Sequence, residues 1–522
     1  MTFKLNIHKL LISFLLYSFV FTLTASAQNI KPILYYTVSM PQPSSQYFHV
    51  ELTSSGWHLD NIDFKMPKWM PGYYQLMNYA KEVENFLVKD KNGNIIPVKK
   101  LNENTWRVPS SNTNSLHLSY NVKATRAFVA TNFLDSTHAY LLPAGLFLYV
   151  DGYIKNPVTV KINMPRHWNN IATGLTKVAG KTNEFTAPDF DILYDCPLLI
   201  GNLEELPSFK VKGVTHRFIG YKMSQFNKEL FMNNLKKVVE AAVSIIGDIP
   251  YKEYTFIGIG PGRGGIEHLN NTTISFDGRG LETDEGMNRI MVFLAHEFFH
   301  NYNVKRIRPL ELWPFDYDKA NRTNLLWVSE GLSVYYEYLT VKRAGLITEQ
   351  MLFNNFESNL NAIENNPGRL YQSLIQSSYQ TWGDGPFGTQ GKDPGKSISY
   401  YDKGPLVGFI LDFSIRHATK NKKSLDDVMR YLYHYYYKKL QRGFTDAEFQ
   451  QACEDVAGIS LASEFEFVYT TKEPDYNRYL VYAGLQSAFE TDADKGRKKF
   501  TIKRKDTLDA LQSEILNTWL NK

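Results

Sequence analysis

The chain has 522 residues, 58 Lys+Arg against 53 Asp+Glu and a formal net charge of +5, which excludes the dense basic surface of a nucleic-acid binder. With 43% hydrophobic and 14% aromatic residues it is a folded protein, not a disordered one. Only two cysteines occur, Cys196 and Cys453, so no disulfide framework exists, although one long-range bridge is open to them.

Residues 1–27 read as a secretory signal. Lys4 and Lys9 form the basic region, Leu10 to Leu23 the apolar run, and Ala25-Ser26-Ala27 the small-residue cleavage site before Gln28. That run falls short of the roughly 20 residues of a membrane span. No later segment approaches one, so the remaining chain is expected to be soluble, in the periplasm or outside the cell. Its roughly 495 residues suggest two to four domains.

From Lys31 to Leu206 short alternating runs predict strands, among them Tyr47 to Leu52, Leu116 to Val122 and Val158 to Ile162. Lys91-Asn92-Gly93-Asn94 is a hairpin-type turn. Residues 28–206 are therefore expected to form an all-β, sandwich-like domain. The period then changes, and residues 207–472 read as a second domain. A helix is predicted from Phe226 to Ile246, a strand from Tyr254 to Ile259, a glycine-rich turn from Gly260 to Gly265 and a strand from Thr272 to Phe276. Helices follow at about Asn288 to Val304, Asn324 to Arg343 and Leu352 to Asn365. A glycine-rich loop, Thr381 to Ser399, either folds over a cleft or is a surface excursion, and a helix from Lys403 runs to His417. Ser424-x-x-Asp427 and Thr445-x-x-Glu448 predict two capping-box helix starts. The fold class is α+β and multidomain.

The chemistry is carried by His296-Glu297-Phe298-Phe299-His300. Residues four apart on a helix lie about 40° apart around its axis, so both imidazoles face one ion. Zinc then needs a third protein ligand if a position is to stay open for water. Trp327-Val328-Ser329-Glu330-Gly331 and Glu337 offer two carboxylates seven apart, on similar faces of a helix. Glu330 is the expected ligand, with Gly331 giving close packing against the motif helix. Glu337 is placed to hydrogen-bond a ligand histidine from behind. Lys305, Arg306 and Arg308 suit the C-terminal end of the motif helix, and Tyr433 to Tyr437 an aromatic packing face.

His296 to Pro309, Trp327 to Gly331, Gly264-Gly265-Ile266-Glu267-His268 and Met66 to Tyr73 together resemble the glycyl aminopeptidase family of gluzincins, distant relatives of aminopeptidase N. The similarity runs from the β domain to about Leu485. It implies a thermolysin-like catalytic domain with a helical lobe, and one zinc ion on His296, His300 and Glu330. It also implies Glu297 as general base and Glu267 as the grip on a substrate's free α-ammonium, with Gly264, Gly265 and His268 beside it. His268 stands where aminopeptidase N has asparagine. Tyr401 aligns with the transition-state tyrosine, with Tyr400 its rival. Peptides with a free N-terminus, preferably small residues such as glycine or alanine, are the implied substrates. A zinc endopeptidase and a non-catalytic peptide- or glycan-binding protein on a peptidase scaffold are the alternatives. Members of the family usually carry a PDZ domain after this point; for residues 473–522 the expectation is that it is either absent or reduced to a remnant strand and helix, Phe500 to Ile502 and Thr507 to Leu520.

Overall fold

A computed structural model describes residues 32–111, 113–492 and 496–521; the expected signal segment lies outside the described residues. Alternating burial in Ile33–Ser39, Tyr47–Ser55 and Ser115–Lys123 makes these strands the interior of a seven-stranded sheet. Its order is Thr176–Lys177, Glu184–Ala187, Val158–Asn163, Ile33–Ser39, Tyr47–Ser55, Ser115–Lys123, Val83–Asp90. The pairing is antiparallel except between Ile33–Ser39 and Val158–Asn163. Two four-stranded sheets accompany it, and inward residues such as Tyr36, Val50, Phe64, Trp106 and Ile200 share one core. Gly93, at φ +87°, turns the chain after Val83–Asp90 as expected.

The next sheet belongs to the region that carries the His296–His300 motif. Val214–Tyr221, Glu253–Gly258 and Asn271–Phe276 run parallel, and Gly260–Glu267 closes one edge antiparallel to Asn271–Phe276. The segment from Gly260 to Gly265 is thus an irregular edge strand and not the turn expected of its glycines, because Gly265 and Ile266 regain pairing with Ile274 and Thr273. Lys228–Ile246 packs over this sheet, capped by the Asn227 side chain and ended by Gly247 in the left-handed region.

The motif helix is Asp284–Phe299, shifted from the expected Asn288 to Val304. It starts early because the Thr283 side chain accepts from Gly286 N, and Asp284 and Glu285 favour its N-terminus. It stops early because the chain beyond His300 turns out, with Val304 at φ +140°. Lys305 and Arg306 therefore do not serve the helix end. Lys305 Nζ lies 2.9 Å from Asp195 Oδ1, and Arg306 donates to the carbonyls of Leu269, Asn301 and Pro250.

Beyond it the fold is helical: a π-turn Trp327–Gly331 leading into Leu332–Arg343, then Glu349–Glu364, Leu374–Asp384 and Tyr400–Ala418. The expected loop begins only after Asp384, since Ser373 and Gln376 form a capping box for a helix not foreseen. Capping boxes at Ser424 and Thr445 are present as read. Tyr433 and Tyr436 are buried, and Tyr433 hydrogen-bonds Asp248. The C-terminal region holds a hairpin, Leu485–Thr491 with Lys498–Arg504, and a helix, Ala510–Asn521. These dock on Glu349–Glu364 and on Tyr335, whose hydroxyl accepts from Trp519 Nε1 at 2.9 Å. Cys196 and Cys453 are both buried and free, so the bridge left open to them does not form.

Candidate metal centre and active-site cleft

His296 and His300 bring their Nε2 atoms to 2.9 Å of each other, and Glu330 Oε2 lies 3.6 and 3.3 Å from them. Among the described residues these three form the one group suited to a metal ion, and all are buried. Zinc bonds of about 2.0–2.2 Å in a tetrahedron give donor–donor edges of about 3.3–3.6 Å; the two edges to Glu330 match, and the 2.9 Å edge between the histidines must open by about 0.4 Å to hold that ion.

The outer ring nitrogen of His300 fixes its tautomer. His300 Nδ1 is 2.7 Å from the Asn303 carbonyl oxygen, which only accepts, so Nδ1 carries the proton and Nε2 offers its lone pair. His296 Nδ1 lies 2.7 Å from Glu337 Oε2, close enough for a charge pair though not aligned as a hydrogen bond. Asn303 does more. Its amide donates to the carbonyls of Val328 and Ser329 at 2.7 and 3.1 Å, both within the π-turn that presents Glu330. One buried side chain thereby ties both ligand-bearing elements together.

Gly331 also helps to place Glu330, against a different neighbour from the one expected. Its Cα faces Gly404 on Tyr400–Ala418, where an added Cβ would stand 2.7 Å from the Gly404 Cα. That close approach brings Tyr401 to the site, in the first turn of its helix. The Tyr401 hydroxyl donates to Glu330 Oε2 at 2.9 Å, while the Tyr400 hydroxyl is engaged with Thr381 Oγ1 at 3.1 Å.

Burial pushes Glu297 up to about 7, against the pull of the two histidines. Burial also acts to raise Glu330, but His300 and His296 hold it well below the usual carboxylate range. Glu297 faces Gly265 on the sheet edge, where an added Cβ would meet Glu297 Oε1 at 2.5 Å, so only glycine lets this strand pass the carboxylate. Gly264, Gly265, Phe293, His296, Glu297, Tyr400 and Tyr401 line a cleft of about 430 Å³.

Glu267 and His268 lie off that cleft. Glu267 is buried beneath Gly72, its Oε1 3.8 Å from Lys305 Nζ, and it lines a smaller cavity behind. His268 turns from the cleft toward Asp195, with Nδ1 3.2 Å from Oδ1. Burial would raise Asp195, yet Lys305 and His268 hold it down to about 2. The β domain also reaches the cleft: Gly72, Tyr73, Tyr74 and Gln75 line it, although the sequence marked this stretch only as a resemblance.

Two family models match the chain: the peptidase M61 N-terminal domain over residues 35–202 and M61 glycyl aminopeptidase over residues 289–407. Together they span more than half of it, and the second contains all three ligand positions. The chain belongs to the M61 glycyl aminopeptidase family. It is a zinc metallopeptidase of the aminopeptidase type. A solved aminopeptidase N family protein from Idiomarina loihiensis is 25% identical, with a TM-score of 0.83 over 89% of this chain and 81% of its own. An M1 zinc metallopeptidase from Deinococcus radiodurans shares the fold at a TM-score of 0.52 and 14% identity, over 86% of this chain and 96% of its own. Yeast LTA4 hydrolase gives 0.51 and 14%, over 86% and 69%. No curated protein sequence matches this M61 chain.

Proposed function

We propose that this protein removes single N-terminal residues, glycine or alanine by preference, from peptides outside the cytoplasm, using one zinc ion on His296, His300 and Glu330. The observation that carries the reading is a metal-suited triad whose His296 lines one cleft together with a buried carboxylate, Glu297, and a phenol, Tyr401, that bonds Glu330.

Zinc held by the triad supplies Lewis acidity, acidifying water and polarising a peptide carbonyl. Glu297 takes the proton from the attacking water and passes it to the leaving amine, a role suited to a carboxylate raised toward neutrality. Tyr401 donates to the oxyanion as the carbonyl becomes tetrahedral. The free edge of Gly260–Glu267 offers main-chain groups to an extended substrate. Glu267 stands behind Gly72 at the closed end, where Lys305 Nζ, 3.8 Å from Oε1, offsets its charge, so its grip on a free ammonium rests on the family likeness.

The preference for small residues rests on the family likeness, and export on the basic, apolar and small-residue pattern of residues 1–27. A glutamate-to-alanine mutant of the Deinococcus enzyme has been solved bound to a Tyr-Ser-Ala substrate, in keeping with peptides as the substrate class. Free and N-acetylated peptides of one sequence, offered to the wild type and to Glu297→Gln, test the proposal. Release of the first residue from free peptides alone, abolished in Glu297→Gln, is expected. Equal cleavage of acetylated peptides would overturn the exopeptidase reading, and full activity in Glu297→Gln would overturn the general base.

A further inference from the structure

The metal cleft and the smaller cavity that contains Glu267, Lys305 and Arg308 are separated by one piece of chain. Gly72 and Tyr74 line both spaces. Gly72, at φ +91°, is pressed so close to Glu267 that an added Cβ would lie 2.9 and 3.0 Å from its carboxylate oxygens. Tyr74 is buried, packs against Trp382 at a ring separation of 6.2 Å and belongs to the catalytic core, although it is donated by the β domain. Gln75 continues the barrier: its Nε2 donates to Gln390 Oε1 at 3.2 Å. That bond spans from the β domain to the loop whose Pro386 and Phe387 line the cleft.

This segment is held firmly. Lys68 N donates to the Tyr317 carbonyl and Trp69 Nε1 to the Asp316 carbonyl, both at 2.8 Å. The Trp69 ring is wedged among Phe315, Tyr317 and Trp382.

Its position sets a distance. Gly265 marks the point on the edge strand opposite Glu297, and Gly72 rests on Glu267, two residues further along. A strand advances about 3.3 Å per residue, and an extended peptide alongside advances equally. The barrier thus stands about two strand positions from the general base, which leaves room for one residue before the scissile carbonyl. We propose that the β-domain segment Gly72–Gln75 is the stop that fixes the register of cleavage, making the cleft an exopeptidase site by closing it one residue upstream of the metal triad. This rests on the aminopeptidase reading and adds the residues that enforce it.

The test uses the full chain as wild type, Tyr74→Ala, Tyr74→Phe and Gln75→Ala. Products from a free pentapeptide and its N-acetylated form are followed by mass spectrometry. Binding of both peptides is also measured calorimetrically in a Glu297→Gln background, which needs no turnover. The wild type and Tyr74→Phe should release single residues and disfavour the acetylated peptide. Tyr74→Ala and Gln75→Ala should release dipeptides and bind the acetylated peptide at least tenfold better relative to the free one. If the wild type releases single residues and both alanine variants keep its register and its binding ratio, the stop is overturned while the aminopeptidase reading stands. If the wild type itself releases no N-terminal residue, both fall. Gln75 is partly exposed, so its variant carries the test by itself should Tyr74→Ala fail to fold.

Discussion

Tyr401→Phe removes one oxygen and leaves the packing in place. The ring keeps its contacts with Tyr400 and Phe387, at centroid separations of 4.9 and 5.6 Å. The lost hydroxyl has two consequences that separate experimentally. An oxyanion donor contributes about 2.7–4 kcal/mol, so kcat should fall by about 10²–10³. The same hydroxyl holds Glu330 Oε2 at 2.9 Å, and loss of a bond to a metal ligand lowers metal affinity by about 10–100-fold. Zinc titration followed by steady-state kinetics at saturating zinc distinguishes them: added zinc restores occupancy and leaves kcat depressed, with KM little changed. Tyr400→Phe is the control, because its hydroxyl is already engaged by Thr381 and its loss should lower kcat only severalfold. A Tyr401→Phe enzyme with wild-type kcat at full zinc occupancy would refute the oxyanion role.

Glu337→Gln weakens the support behind His296 and should raise the zinc Kd by about 10–100-fold in chelator competition; an unchanged Kd would place Glu337 outside the metal site's support. Asp412 is wholly buried and accepts from the Tyr335 hydroxyl, Arg416 Nε and Leu425 N at 2.7, 3.0 and 2.7 Å. Asp412→Ala strands the Arg416 charge and should cost about 3–5 kcal/mol in denaturant unfolding, with a loss under about 1 kcal/mol as the contrary result. Burial holds both His138 and His216 down to about 4, with Asp135 opposing part of the shift at His138. Their folded values lie below the unfolded value of about 6.5, so stability is complete above that pH and is lost as pH falls toward 4. The loss reaches about 3 kcal/mol per histidine. His216→Gln should flatten the stability profile between those limits, and a profile parallel to the wild type would contradict this.

The parts of the site that were legible in the sequence are local or pattern-borne. Two histidines one helical turn apart need no tertiary knowledge, and Glu330 and Glu337 share a face by simple periodicity. The helix limits were less legible because caps and turns override propensity: Thr283 starts the motif helix four residues early, and the turn at Val304 ends it. Asn303 was missed because its value lies in bonds to the carbonyls of a π-turn, a feature with no sequence period. The cleft's β-domain wall was missed because Gly72 meets Glu267 across nearly two hundred residues of chain. Lys305 and Arg306 resembled helix-end charges until the helix stopped short of them, leaving them to bind Asp195 and backbone carbonyls. Gly331 suggested close packing correctly but not the partner, which only the approach of Gly404 reveals.

The central claim is a three-donor zinc centre, and metal content measured by mass spectrometry on folded protein tests it most directly. The wild type should hold one zinc per chain after dialysis. Glu330→Ala, with an unchanged circular dichroism spectrum, should lose it at the same free-zinc concentration. Full zinc retention by folded Glu330→Ala would contradict the assignment of that carboxylate, and with it the geometry on which the hydrolytic reading stands.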